Sequence, residues 1–198
     1  LWNEGQQEQL SAFQAPEIAQ ADLTPLALQL FSWGVKDPRE LAWLDLPPKG
    51  TFEQAKSTLY RLGALSDQDQ VTPHGEMMAS LPAHPRISHM LIKGHELGLT
   101  EKACQIAALL MERDPFNRNG ADISLRLDWL SSKPDHHKGA WHRINQQFRH
   151  YQRLCKQLDI TCSPTGKIPE NMAAGLLLAF AFPDRISKQR STGSTYYR

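Results

Sequence analysis

The residues best placed to do chemistry are basic. Between Lys133 and Lys156 stand six Lys or Arg (133, 138, 143, 149, 153 and 156), one acid, Asp135, and four of the chain's eight histidines. Such a surplus concentrates polyanions, so nucleic acid is the first partner to consider. A solvated helix face is the other reading of a charge run. Whole-chain balance hides this: 22 Lys+Arg against 21 Asp+Glu give a net charge of +1. Residues 1–83 carry 5 basic and 11 acidic residues, a balance of −6, and residues 84–198 carry 17 and 10, a balance of +7. The two parts face different partners.

Sites for bond-making chemistry are missing. A phosphate-cradling loop needs Gly-x-x-x-x-Gly-Lys-[Ser/Thr], because its backbone amides hold the phosphates and its hydroxyl holds Mg²⁺. Gly166-Lys167 has no Gly five residues earlier and is followed by Ile168. His95-Glu96 lacks the second His of a zinc-hydrolase helix, and His84, His89 and His95 do not share one helix face. They read as surface or capping residues. Cys104 and Cys155 fall on apolar stripes, where a thiol is buried and inert, and with Cys162 they make an odd count never spaced CxxC. That usage points to a reducing compartment, here the cytoplasm. The segment therefore carries no catalytic residue, no metal site and no cofactor site of its own. The longest apolar run, Ala173 to Phe182, is too short to cross a bilayer, so no membrane partner is expected.

The elements that must position the basic residues are helices. Apolar residues recur at three and four throughout the 198-residue chain. Leu23 to Gly34 predicts a first helix, Pro38 to Leu44 a short second one broken at Pro47-Pro48, and Phe52, Ala55, Leu59 and Leu62 a third with Thr51 as N-cap. After Gly63 the period changes: Leu65 and Val71 flank the polar Asp67-Gln68-Asp69, which predicts a hairpin over 64–72. Thr72-Pro73 then opens another helix. Three helices and a small hairpin make a winged helix over 23–83, a helix-turn-helix variant. Pro82 to Pro85 coincides with the charge shift and marks a boundary. Beyond it, helices are predicted at 86–97, 100–112, 122–131, 138–158 and 170–182, an all-helical bundle.

Trp141, Ile144, Phe148, Tyr151, Cys155 and Leu158 keep one stripe of the long helix, so Arg143, Arg149, His150, Arg153 and Lys156 fall on its other side. Arg143, Arg149, Arg153 and Lys133 lead as nucleic-acid contacts, with Arg118 and Arg126 next.

Several phrases, taken in order, resemble the region that follows the second RecA-like domain in DEAH-box helicases. They are Leu23 to Gly34, Leu44 to Pro48, Leu59 to Leu65 and Val71 to Met78 for the winged helix, then Leu81 to Leu91 and Ala103 to Leu110 for entry into the "ratchet" bundle. His84-Pro85-Arg86, Glu112-Arg113-Asp114 and Phe182 to Ile186 are similar to the bacterial HrpB-type branch. The resemblance implies a mainly α chain with little β. Residues 1–22 would leave the second RecA-like domain, with Pro16-Glu17-Ile18 their clearest phrase, 23–83 would be the winged helix, 84–182 the ratchet-like bundle, and 183–198 the first strand of a truncated OB-like domain. It further implies a parent ATP-dependent helicase using ATP and Mg²⁺ in upstream RecA-like domains, with single-stranded nucleic acid, RNA ahead of DNA, as partner. None of the motor's own motifs falls in this segment. A free-standing winged-helix DNA-binding regulator and a protein-interaction bundle stand as alternatives; against the regulator, the third helix offers only Lys56 and Arg61 near Glu53.

Overall fold

The computed structural model describes residues 16–114, 122–132, 137–158 and 168–187. Among them the architecture is mainly α, with β pairing limited to one isolated antiparallel bridge, Leu65 to Val71. Eight α-helices are described: α1 Thr24–Ser32, α2 Lys49–Arg61, α3 Pro73–Ser80, α4 Pro85–Glu96, α5 Thr100–Met111, α6 Ile123–Ser132, α7 Lys138–Lys156 and α8 Glu170–Ala181. Short 3-10 turns occupy Glu17–Ala19, Pro38–Glu40 and Pro183–Arg185. None of these helices is long and apolar enough to cross a membrane.

Local chemistry explains most ends. Gly34 and Gly63 follow α1 and α2 with φ of +83° and +69°, the left-handed conformation that stops a helix and that glycine adopts without a Cβ clash. Thr72 caps α3 by accepting the Gly75 N–H at 3.0 Å, and Pro73 takes the first helical position.

Three local expectations are revised. The helix expected over Pro38 to Leu44 is only the 3-10 turn, closed by a capping box between Asp37 and Glu40. Its continuation is pre-empted because the Trp43 indole N–H donates back to the Pro38 carbonyl at 2.7 Å. Helix α2 begins at Lys49 after Pro48, so Thr51 lies inside its first turn instead of capping it. The hairpin over 64–72 is reduced to its single bridge, because Thr72 is already committed to capping α3. Ser66 N–H donates to the Gln70 carbonyl at 2.8 Å, and Asp69 at the tip takes φ +59°. Residues 1–15 and 188–198, which hold most of the two expected terminal segments, lie outside the described residues.

Two apolar cores form. Leu28, Leu30, Phe31, Phe52, Leu59, Leu62 and Met78 build the first from α1 to α3. Ile106, Ala107, Leu127, Ile144, Tyr151 and Leu177 build the second from α5 to α8. Helix α4 belongs to both: Ile92 joins the first, while Ile87, Met90 and Leu91 join the second. Its first turn carries polar ties to distant segments. Arg86 makes a two-pronged pair with Asp184 at 2.5 and 3.1 Å, also donates to the Ala181 carbonyl, and lies over the Phe182 ring, which Arg185 approaches at 4.8 Å.

Candidate nucleic-acid interface

The long stripe of α7 faces inward. Ile144, Tyr151 and Cys155 are buried in the second core, where α7 packs chiefly on α5, and the Trp141 indole N–H donates to the Leu130 carbonyl of α6 at 2.9 Å, fixing the helix's rotation. Cys155 Sγ lies 3.7 Å from Cys104 Sγ on α5, both thiols being buried and unbonded. The contact with Cys155 and burial together push the Cys104 thiol up, and burial raises the Tyr151 hydroxyl. All three side chains are buried in the second core, where they serve as packing elements.

With the stripe buried, α7 turns its cations outward. Arg143, Arg149, Arg153 and Lys156 are exposed, and so are Lys138 and His142 on the same side near the start of the helix. Those last two were missed as leading candidates, although their i, i+4 spacing could have joined them to the set. Arg153 and Lys156 also oppose the negative end of the helix dipole. Arg143 leans on Glu112, Nε to Oε2 3.4 Å, yet keeps 60% of its side chain exposed, so most of its donor fork faces solvent. Arg153 Nε approaches the Arg149 carbonyl at 3.4 Å, one turn back along the helix.

Arg126 sits differently. Its side chain is 11% exposed, and its guanidinium pairs with Asp114 at 2.5 Å and donates to the Asp122 carbonyl at 2.8 Å. Its charge is spent on holding α6 to the segment before it. Lys133 and Arg118 lie outside the described residues. The three histidines singled out by spacing lie on or beside α4 with separate partners: His84 caps the helix, His89 is buried against His74, and His95 meets the Thr100 hydroxyl at 2.9 Å. Burial of His89, expected at the surface, follows from its position between α3 and the Phe180 ring of α8.

The surface around α2 offers less to a polyanion. On α2, Lys56 is tied to Asp69 at 2.8 Å, and the Tyr60 hydroxyl donates to the same carboxylate. That clamp stiffens the turn and neutralises the cation that a groove reader would need.

A helix-bundle protein with a basic outer helix is the class that this arrangement defines, and comparison with known proteins sharpens it. Residues 84–159 match the model of the helicase-associated domain (HA2), ratchet-like. The ATP-dependent RNA helicase HrpB of Escherichia coli is 32% identical over 96% of this chain, which covers 21% of that protein. A crystal structure of the E. coli DExH-box NTPase HrpB superposes with a TM-score of 0.68 at 31% identity, over 96% of this chain and 21% of that one. The probable ATP-dependent RNA helicase DHX34 of Mus musculus is 35% identical over 60% of this chain, covering 10% of that protein. Residues 84–159 are therefore a ratchet-like, helicase-associated domain, and the chain is an accessory region of the DEAH-box helicase family, HrpB type. It spans about one fifth of the length of the E. coli relative, 21%.

Proposed function

We propose that this chain is the nucleic-acid-contacting accessory region of an ATP-dependent RNA helicase that works in the cytoplasm. RecA-like domains of the longer protein would hydrolyse ATP with Mg²⁺, and this region would hold the strand that they move. The observation that carries the reading is the two-sided α7: Ile144, Tyr151 and Cys155 anchor it in the core while Arg143, Arg149 and Arg153 stand in solvent within the ratchet-like match. Cations in such a row pair with phosphates whatever the base, which suits an enzyme that must travel along any sequence. Lys133 and Arg118 extend the set, and Arg126, held by Asp114, braces it from α6. RNA is the favoured strand because the relatives named above are RNA helicases. Residues 23–83 act in this reading as a winged helix used for packing, 84–182 as the ratchet-like bundle, and 183–198 as the start of an OB-like domain. The Lys56 clamp supports a packing role for the wing over groove reading.

Salt dependence tests it. Each phosphate contact to a single strand contributes about 0.7 to the slope of log affinity against log salt. Arg149→Gln with Arg153→Gln should weaken binding of a single-stranded oligoribonucleotide and lower the slope's magnitude by about 1.4. An unchanged slope in the double variant overturns the assignment.

A further inference from the structure

Spacing along each apolar stripe predicts two inert thiols, and the packing of α5 on α7 makes them a pair. Cys104 and Cys155, 51 residues apart, hold their Sγ atoms 3.7 Å from each other, and both thiols are buried and free. A disulfide needs about 2.0 Å, so the sulfurs have to close by only about 1.7 Å, which rotation about the two Cα–Cβ bonds can supply. The two thiols are not equivalent. Contact with Cys155 and burial push the Cys104 thiol up, so it keeps its proton, and by donating to Cys155 Sγ it lowers the partner's pKa. Position separates them as well. Cys155 is the penultimate residue of α7, whose last bonds, Gln157 N–H to the Leu154 carbonyl at 3.0 Å and Leu158 N–H to the Cys155 carbonyl at 3.2 Å, are the three-residue bonds of a fraying end. Opening of that turn admits a small oxidant to Cys155 first.

We propose that Cys104 and Cys155 form a redox latch: a hydroperoxide oxidises the pair to a disulfide that ties α7 to α5, and thiol reductants reopen it. The Cys155 thiolate attacks one oxygen of the peroxide, the O–O bond breaks, the other oxygen leaves with a proton as water or an alcohol, and Cys155 becomes a sulfenic acid. The Cys104 sulfur then attacks Cys155 Sγ, the S–O bond breaks, and hydroxide leaves with the Cys104 proton as water. Two thiols lose two electrons and two protons, and the peroxide takes up both. Where glutathione keeps thiols reduced, the open pair is the resting form and the latch closes only under oxidant. The bond pins the end of the helix whose other side carries Arg149 and Arg153. It uses neither residue, so it stands or falls apart from the nucleic-acid reading.

The test uses the whole 198-residue chain with Cys162→Ser, which removes the third thiol, one that lies outside the described residues. Hydrogen peroxide, dosed below the level that turns the exposed Met111 and Met172 into sulfoxides, should abolish both thiols counted by alkylation in denaturant. Non-reducing peptide mapping should join the Cys104 and Cys155 peptides within one chain, and dithiothreitol should restore both thiols. The closed chain should melt at least about 5 °C above the reduced one, because the bond closes a long loop. With Cys104→Ala, Cys155 should stop at a sulfenic acid that dimedone labels, whereas Cys104 in Cys155→Ala should stay unlabelled at the same dose. Mapping and melting need no substitution in the core, so they decide the matter even where an alanine variant fails to fold. Methionine oxidation with both thiols intact, a disulfide between two chains, a bond that forms only in urea, or a closed chain that melts no higher than the reduced one overturns the proposal.

Discussion

His84 and Asp22, 62 residues apart, join the starts of two helices through one contact of 3.2 Å between Nε2 and Oδ2. His84 Nδ1 accepts the Arg86 backbone N–H at 3.3 Å, so the ring's proton sits on Nε2 and is donated to the carboxylate. The other oxygen of Asp22 accepts the Thr24 N–H at 2.8 Å and its hydroxyl at 2.6 Å. One carboxylate thus serves the first turn of α1 while fixing the tautomer that caps α4, the helix shared by both cores.

Removing that carboxylate strips the acceptor from α1 and unpins His84. Asp22→Ala should lower stability by about 1–2 kcal/mol in urea unfolding, the range for a lost cap, whereas Asp22→Asn keeps an acceptor and should lose less. Equal losses in the two variants would show that the cap is not the cause. Burial opposes the charge on Asp22, but the bonds from Thr24 and His84 prevail and hold its pKa below the usual value. Its contribution is therefore present above the unfolded pKa of 3.8 and is lost as pH falls through the lower folded value.

Acid should act earlier through His74 and His89. Their rings meet at 2.7 Å, Nε2 to Nδ1, one donating and the other accepting. Burial, then the charges of neighbouring His74 and Lys93, lower His89 from 6.5 to about 4, and burial also lowers His74, with Lys93 opposing its charge and Glu96 favouring it. The unfolded chain then binds more protons below pH 6.5, so stability is full above that value and falls as pH drops toward 4. Urea midpoints should decline between pH 7 and pH 5 by an amount equivalent to about 2 kcal/mol. Replacing both rings by Gln should flatten that slope; a slope that survives the replacement assigns it to other groups.

Gly75 is fixed by packing. A Cβ there would lie 2.2 Å from the Ala64 carbonyl oxygen and 2.9 Å from Val71 Cγ1, so α3 can sit on the bridge only with glycine at this position. Although alanine favours helix by up to about 1 kcal/mol, Gly75→Ala should destabilise by about 1–3 kcal/mol, since the obstructing atom is backbone. A thermal midpoint equal to or above wild type would refute the close approach.

The sequence by itself determined whatever neighbours along the chain decide. The 3, 4, 3, 4, 3 spacing from Trp141 to Leu158 sets which side of α7 is apolar and leaves Arg149 and Arg153 outside. Thr72-Pro73 and the glycines at 34 and 63 set helix ends, because a cap bond or a positive φ involves residues within one turn. The ordered phrases from Leu23 to Ile186 carried the family resemblance. Tertiary structure alone decided which charges stay available and which polar groups meet. Arg126 looks as basic as Arg149 in the sequence, but Asp114 is brought to it at 2.5 Å while Arg149 is left in solvent. His74 with His89, Arg86 with Asp184 and Cys104 with Cys155 lie 15, 98 and 51 residues apart. No local pattern encodes such pairs, because helix periodicity says which way a side chain faces and only the packing of one helix on another says what it faces.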